Sequence, residues 1–374
     1  MNILILSLAY APFSGVGAAR MTSLSQYLTE QGHKVTVVCY DSKVFNEQEL
    51  LRPIPEKVKR VVVDRLNNRI KNINYLKNRV LKTVENGKFN ICISSVGPYE
   101  TMFFIHELWR KYRLPYVIDY RDPWLYEKST LAEKGIIGLK VKMRDFLCQF
   151  VERRAIKYAA KIVEVTDYCK RDLIQRYHLS DDKCQVIYNG YEKTLFHEKY
   201  PRKDYLTLGI AGKISYNVSA MKLFLQTCGE FTDCTRPIRV KHIGKKEGDL
   251  QEEFPETYRE CGVKGYQETM ETLSGMNILL IVYSHLSGLG TKIFDYIALN
   301  KPIIYIGTAP SELSEMVRGF ENGYVCGTKE EMTKVLKGLL DNCPKKLTEE
   351  NLTEYSREYQ NAKYVELLEK LRRK

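Results

Sequence analysis

The sequence predicts an α/β protein of two domains in tandem, each a parallel sheet flanked by helices. Three observations predict it. Short β-rich apolar runs alternate with helix-period segments along most of the chain. The alternation breaks once, over residues 192–204, a polar stretch that carries Pro201 and has no periodicity, and then resumes. The length of 374 residues is about two domains at roughly 150 residues each.

In the first half the strand-like runs are 2–8, 34–40, 91–94, 116–119, 161–165 and 185–188, with helical patterns at 18–31, 100–112, 139–160 and 168–177. In the second half strands are expected at 206–211, 239–243, 277–283, 302–306 and 324–326. Helices are expected there at 220–231, 291–299, 329–341 and 348–373. The expected division is therefore a domain over 1–191, a linker over 192–204, a domain over 205–347 and a C-terminal helical segment over 348–374.

Composition narrows the function classes. With 44% hydrophobic and 28% charged residues the chain reads as globular and not disordered. The longest apolar run is 278–283, far short of the ~18–20 residues of a spanning helix. The apolar start MNILILSLAYAPF has no basic flank or small-residue cleavage site, so it reads as a buried strand and not as a signal peptide. Ten cysteines form no CxxC and six histidines form no HxxxH, which argues against zinc and disulfide frameworks. Reduced thiols in a cytoplasmic protein are the expectation. The net charge of +12 calls for a polyanionic partner: nucleic acid, anionic lipid or a diphosphate.

Open α/β sheets bind ligands beyond the C-terminal ends of their strands, so functional residues are expected there, in a cleft between two facing domains. After the first strand, Gly15 and Gly17 precede a helix and resemble a phosphate loop. Arg20 stands where a dinucleotide fingerprint needs its third glycine, and the loop from Leu8 to Gly15 is too long for that tight turn, which disfavours a dehydrogenase. The glycines bring backbone amides close to a ligand, or they simply make a turn and start a helix.

After the strand at 116–119 comes Arg121-Asp122-Pro123-Trp124. Asp122 there can orient a sugar hydroxyl or move a proton, and Arg121 can hold it or bind phosphate. A local Arg–Asp pair at a strand end explains the same residues as well. Ser94-Ser95-Val96-Gly97-Pro98 follows another strand and carries a weaker signal; His106 lies in a helix pattern and reads as structural.

In the second half, Gly212-Lys213 ends a strand with a glycine and a cation, placed to neutralise a diphosphate unless Lys213 is an ordinary solvated lysine. The strongest segment is 287–304, SGLGTKIFDYIALNKPII. Gly288 and Gly290 make a glycine-rich loop, Thr291 can cap the following helix, Asn300 suits its end and Pro302 forbids continuation. Lys292 and Asp295 share one helix face. The free amides of the helix start and Lys292 make an anion site, and Asp295 is placed for ribose hydroxyls. An i,i+3 ion pair on an exposed helix is the plainer account.

Together the first loop, the Arg121–Trp124 segment, Tyr188-Asn189-Gly190-Tyr191 and Thr291–Ile304 resemble retaining glycosyltransferase family 4 (glycosyltransferase group 1). The resemblance runs in order along nearly the whole chain. It implies the GT-B fold, two Rossmann-like domains with parallel sheets facing across a cleft. It implies a nucleotide-sugar donor on the second domain, with the UDP-sugar first among the choices, and an acceptor on the first. It also implies that the C-terminal helix crosses back to the first domain through Tyr355, Tyr359, Tyr364, Leu367, Leu368 and Leu371. Lys213 matches the first of the family's basic pair; the second falls on Val218, and Lys292 offers that charge instead. The family's acidic pair, two Glu separated by seven residues, falls on Ser287 and Asp295, so one acid is replaced.

The reading that follows is metal-independent transfer of a sugar with retention to a glycan or polyprenyl-linked acceptor, in cell-surface polysaccharide assembly. Asp122, Arg121, Lys213 and Lys292 are its expected catalytic group, and Gly212, Gly288, Gly290, Thr291 and Asp295 join the lysines around the donor. No bound cofactor and no metal is expected, because no Asp-x-Asp occurs. Two alternatives remain: a nucleotide-sugar 2-epimerase of the same fold, and a non-catalytic sugar-nucleotide or polyanion-binding protein. Residues 52–82 carry ten Lys/Arg against two acids, and 139–157 is basic with Leu139, Met143, Phe146, Leu147 and Phe150 on another face. That pattern suits peripheral contact with an anionic membrane on the cytoplasmic side, or two solvated helices with buried stripes. Nucleic acid is not expected, since no binding motif accompanies the charge.

Overall fold

The computed structural model describes residues 1–46, 52–121, 124, 136–192, 205–231, 237–283, 289–307, 310–341 and 346–373, and of residues 136–142 and 144 the backbone alone. The chain forms two compact units, one of Met1–Asn189 with Gln360–Lys374 and one of Gly190–Tyr359.

The N-terminal unit is built from β1 (Asn2–Leu6), α1 (Val16–Glu30), β2 (Lys34–Tyr40), β3 (Lys59–Val63), α2 (Arg69–Glu85), β4 (Ile91–Val96), α3 (His106–Tyr112), β5 (Tyr116–Tyr120), α4 (Ile136–Tyr158), β6 (Lys161–Glu164), α5 (Asp167–Tyr177) and β7 (Cys184–Val186). Its seven strands make one parallel sheet in the order β3-β2-β1-β4-β5-β6-β7. Helices on both faces bury the central strands β4 and β5 completely, Ser94, Ser95 and Asp119 included. Strand order reverses between β1 and β4, and a ligand crevice opens at such a switch point.

The C-terminal unit repeats the plan with β8 (Leu206–Ala211), α6 (Val218–Gly229), β9 (Ile238–Ile243), α7 (Leu250–Glu253), β10 (Tyr258–Glu260), α8 (Tyr266–Ser274), β11 (Ile278–Val282), α9 (Lys292–Leu299), β12 (Ile303–Ile306), α10 (Glu312–Arg318), β13 (Gly323–Cys326), α11 (Lys329–Asp341) and α12 (Glu349–Glu354), and the last helix, α13 (Arg357–Arg372), starts in this unit and runs into the N-terminal one. Its parallel sheet runs β10-β9-β8-β11-β12-β13. Here the order reverses between β8 and β11, which places the loops carrying Gly212 and Gly290 beside each other.

Two expected helices are broken. Residues 100–112 form a 3-10 turn (Glu100–Phe103) followed by α3, because Phe104 leaves the helical region at φ −134°. Residues 348–373 form α12 and α13. Between them the Tyr191 amide donates to the Tyr355 carbonyl at 3.0 Å, and the Arg357 amide donates to the Tyr191 carbonyl at 2.8 Å. Those bonds replace helical ones at the break. The boundary between the units falls inside α13. Its later turns bury Tyr364, Leu367 and Leu368 in the N-terminal unit's core with Ile3, Ile5, Met21 and Leu24. Each such side chain stabilises that attachment by about 1.5–3 kcal/mol.

Every described cysteine is a free thiol. Among the described residues no helix is long and apolar enough to cross a membrane.

Candidate functional site

The site in the C-terminal unit starts at the end of β8. Gly212 has φ +78°, a conformation that favours glycine. Its amide donates to the Ile243 carbonyl at 2.7 Å, and its carbonyl accepts from His242 Nε2 at 2.6 Å. A carbonyl only accepts, so the proton sits on Nε2 and Nδ1 takes the Tyr258 hydroxyl proton at 2.8 Å. His242, fully buried in β9, therefore fixes where the glycine turn points. No local sequence signal marks His242, a lone histidine outside any metal-type cluster.

Helix α9 is placed by its apolar face, Ile293, Phe294, Ile297 and Leu299, and by a tyrosine that sequence reading did not single out. Tyr296 OH accepts from the Ala211 amide at 3.0 Å and donates to the Leu280 carbonyl at 3.2 Å. One hydroxyl thus ties α9 to both strands that flank the switch point. The expected side-chain cap by Thr291 is not made: Thr291 occupies the N-cap position, but with φ −90° and ψ −20° its hydroxyl bonds no helix amide. Asn300 ends the helix in the left-handed region, with its side chain accepting from the Leu347 amide at 2.7 Å.

Tied this way, α9 brings Lys292 against Gly212. A Cβ added at Gly212 would stand 2.6 Å from Lys292 Nζ. Burial lowers the Lys292 pKa, Glu247 opposes that shift, and Lys213 adds to it. Among the described residues Lys292 forms no ion pair. The i,i+3 pair with Asp295 is absent, because the two side chains serve different neighbours. Lys213 is exposed one residue further on.

Asp295 instead accepts from Tyr266 OH at 2.9 Å. Burial pushes its carboxyl up to about 6, against the Tyr266 bond and the nearby Arg357 cation, while Glu192 adds to the rise. Arg357 pairs with Glu192 and donates to the Gly190 carbonyl at 3.0 Å. Gly190 has φ +65°, and a Cβ there would meet the Arg357 backbone at 2.9 Å.

Glu247 marks the anion-binding character of the loop after β8. One of its carboxylate oxygens accepts from the Ile214 amide at 2.6 Å and also from the Ser215 amide. Two adjacent backbone donors converging on a single anionic oxygen are the arrangement a phosphate uses. Gly290 has φ +63°, and among the described residues nothing lies within 4 Å of where its Cβ would stand. Gly288 and Ser287 lie outside the described residues.

In the N-terminal unit the expected residues gather at the switch between β1 and β4. Arg121 follows β5, and its guanidinium fills the space a side chain at Gly17 would need. A Cβ at Gly97, whose φ is +106°, would stand 3.1 Å from Arg121 Nη2. Gly17 and Gly97 therefore make room for Arg121 beside the start of α1, and the ring of Phe13 takes the space beside Gly15. Asp122 lies outside the described residues. Ser94 is buried, with its hydroxyl on Thr101 at 3.0 Å. His106 is buried too, and burial next to Arg154 lowers its pKa to about 4, in keeping with a structural role.

Arg20, which spoiled the dinucleotide fingerprint, is a buried anchor. Its Nη2 meets Asp119 Oδ2 at 2.9 Å, its Nε lies 3.1 Å from Oδ1, and its Nη1 donates to the Tyr188 carbonyl at 2.8 Å. Tyr364 OH donates to the same Asp119 oxygen at 2.7 Å. Beyond the ends of β2, β3 and β4 opens a cavity of about 850 Å³ lined in part by Asp41, Lys43, Asp64, Arg65, Arg69 and Glu100.

Residues 17–194 match the model of Glycosyltransferase Family 4. That segment is thus similar to glycosyltransferase family 4. Solved glycosyltransferases share the architecture along the whole chain. A glycosyltransferase from Rickettsia africae superimposes with a TM-score of 0.69 at 12% identity, covering 99% of this chain and 98% of that one. The lipopolysaccharide outer core galactosyltransferase WaaB gives 0.65 at 13% identity, covering 99% and 100%. Anabaena Alr3699/HepE, solved with UDP and glucose, gives 0.62 at 12% identity, covering 99% and 100%. At these identities the likeness establishes the fold, which is GT-B. No curated protein sequence matches the chain significantly.

Proposed function

We propose that this chain is a glycosyltransferase that moves a sugar from a nucleotide-sugar donor to a glycan or lipid-linked acceptor, with retention, in cell-surface polysaccharide synthesis. The observation that carries the reading is Lys292: a cation held against a glycine turn at the switch point, with no ion-pair partner among the described residues. Its natural complement is an anionic ligand, and the family makes that ligand the donor's diphosphate.

Sugar transfer passes through an oxocarbenium-like transition state while negative charge grows on the departing diphosphate. Lys292 and Lys213 supply the compensating charge, and the Gly290–Thr291 backbone at the start of α9 adds oriented amides. Gly212, having no side chain, leaves room for a pyrophosphate to approach Lys292. Asp295, as a carboxylate, accepts from the ribose hydroxyls. Protein cations then do the work that a metal does in Asp-x-Asp enzymes, so the proposed reaction is metal-independent. UDP is the first nucleotide to test, because a relative of this fold was solved with it. In the N-terminal unit Arg121, with Asp122 next to it in sequence and the glycines at 15 and 17 nearby, would position the acceptor.

The test offers labelled nucleotide sugars together with a lipid extract. Label moving into the lipid or glycan fraction supports transfer. Interconversion of free donors would make the chain an epimerase, and binding without turnover would make it a sugar-nucleotide-binding protein.

A further inference from the structure

Helix α4 carries an apolar stripe that faces solvent. Met143 is 60% exposed, Phe146 70%, Leu147 60% and Phe150 61%. Their spacing of i, i+3, i+4 and i+7 puts all four on one face. Large apolar side chains this exposed and this close together mark an interaction surface, since single exposed ones are common and contiguous ones are not. The reading of a buried stripe on a solvated helix is therefore set aside for α4.

The same face becomes basic one turn on. Arg153, Arg154 and Lys157 stand at i+3, i+4 and i+7 from Phe150, and Arg153 and Lys157 are exposed. Glu152 points elsewhere: it is buried and accepts from Tyr120 OH at 2.7 Å and from Tyr177 OH.

The patch continues onto α2. Phe103 joins the two helices: the Arg154 guanidinium donates to its carbonyl at 3.1 Å, and the Arg69 guanidinium lies 5.8 Å from its ring. Next to Arg69, Ile70 is 73% exposed. Leu66 and Arg69 also line the cavity beyond β2, β3 and β4.

We propose that the α4 stripe, with the start of α2, docks the protein on the surface of an anionic lipid bilayer. Four apolar side chains enter the headgroup boundary, and Arg153 and Lys157 meet the lipid phosphates. Charge complementarity selects this occupant. A second copy of the chain, at +12, would set basic face against basic face, whereas an anionic membrane neutralises it. Docking in this pose brings the rim of the cavity to the lipid surface, within reach of a membrane-borne substrate. The proposal stands on α4 and α2 and does not depend on the transfer reaction.

The test is flotation of the full-length protein with phosphatidylcholine vesicles, with and without about one-third phosphatidylglycerol. The wild type is expected to float with the anionic vesicles and to stay behind with the neutral ones. Phe146→Ser with Phe150→Ser is expected to weaken binding by about tenfold or more, and Arg153→Glu with Lys157→Glu to abolish it on anionic vesicles. These positions are exposed, so the fold is expected to survive, and unchanged nucleotide binding verifies it. Equal binding by wild type and the Phe146/Phe150 variant overturns the proposal. So does failure of the wild type to bind anionic vesicles, or a dimer in solution that the Phe146/Phe150 variant converts to monomer.

Discussion

Gly212 and Lys292 share one small volume: a methyl group on the glycine would lie 2.6 Å from the lysine Nζ. The two stand eighty positions apart in the sequence. Gly212→Ala is therefore expected to act twice. The left-handed φ of +78° costs an alanine about 1–2 kcal/mol, seen as a lower denaturation midpoint. Displacement of Lys292 should also weaken UDP binding, measured by calorimetry.

Asp295 supplies a pH dependence. Its carboxyl titrates near 6, raised by burial, so it is neutral below that pH and charged above it. A nucleotide sugar, whose phosphates keep their charge through this range, should bind more weakly as pH falls through about 6. Asp295→Asn should bind weakly and with little change from pH 5 to 7, within the range set by that pKa. The stability sign is the reverse: the raised pKa means that folding is penalised as pH rises through about 6, and Asp295→Asn removes that penalty.

The buried pair of Arg20 and Asp119 predicts a stability effect in the N-terminal unit. Asp119→Ala strands a buried guanidinium and should cost about 3–5 kcal/mol in denaturant unfolding. Tyr364→Phe removes one donor from Asp119 and should cost about 1–3 kcal/mol. Replacing Arg20 and Asp119 together with apolar residues should be milder than Asp119→Ala alone.

Much of the fold was legible because buried parallel strands such as Ile278–Val282 and Ile303–Ile306 are unbroken apolar runs. The edge strands β3 and β10 were not. Lys59 and Arg60 open one, and the other has three residues, so neither shows a buried pattern. Helix α2 was noticed only for its charge, although Leu76, Val80, Leu81 and Val84 give it a buried face. In the candidate site, Lys292 and Gly212 stand out in the sequence because a glycine after a strand and a helix start are local signals. Tyr296, His242 and Glu247 act through partners 16 to 85 residues away. No local pattern marks such pairs. Arg20 shows the limit most clearly, since its partner is 99 residues off.

The most direct measurement is UDP affinity by calorimetry in excess chelator, for the wild type and for Lys292→Ala. Wild-type binding that persists without divalent cations, weakened by about tenfold or more in the variant, is the predicted result. Binding that requires Mg²⁺, or equal affinity in the two proteins, would contradict it.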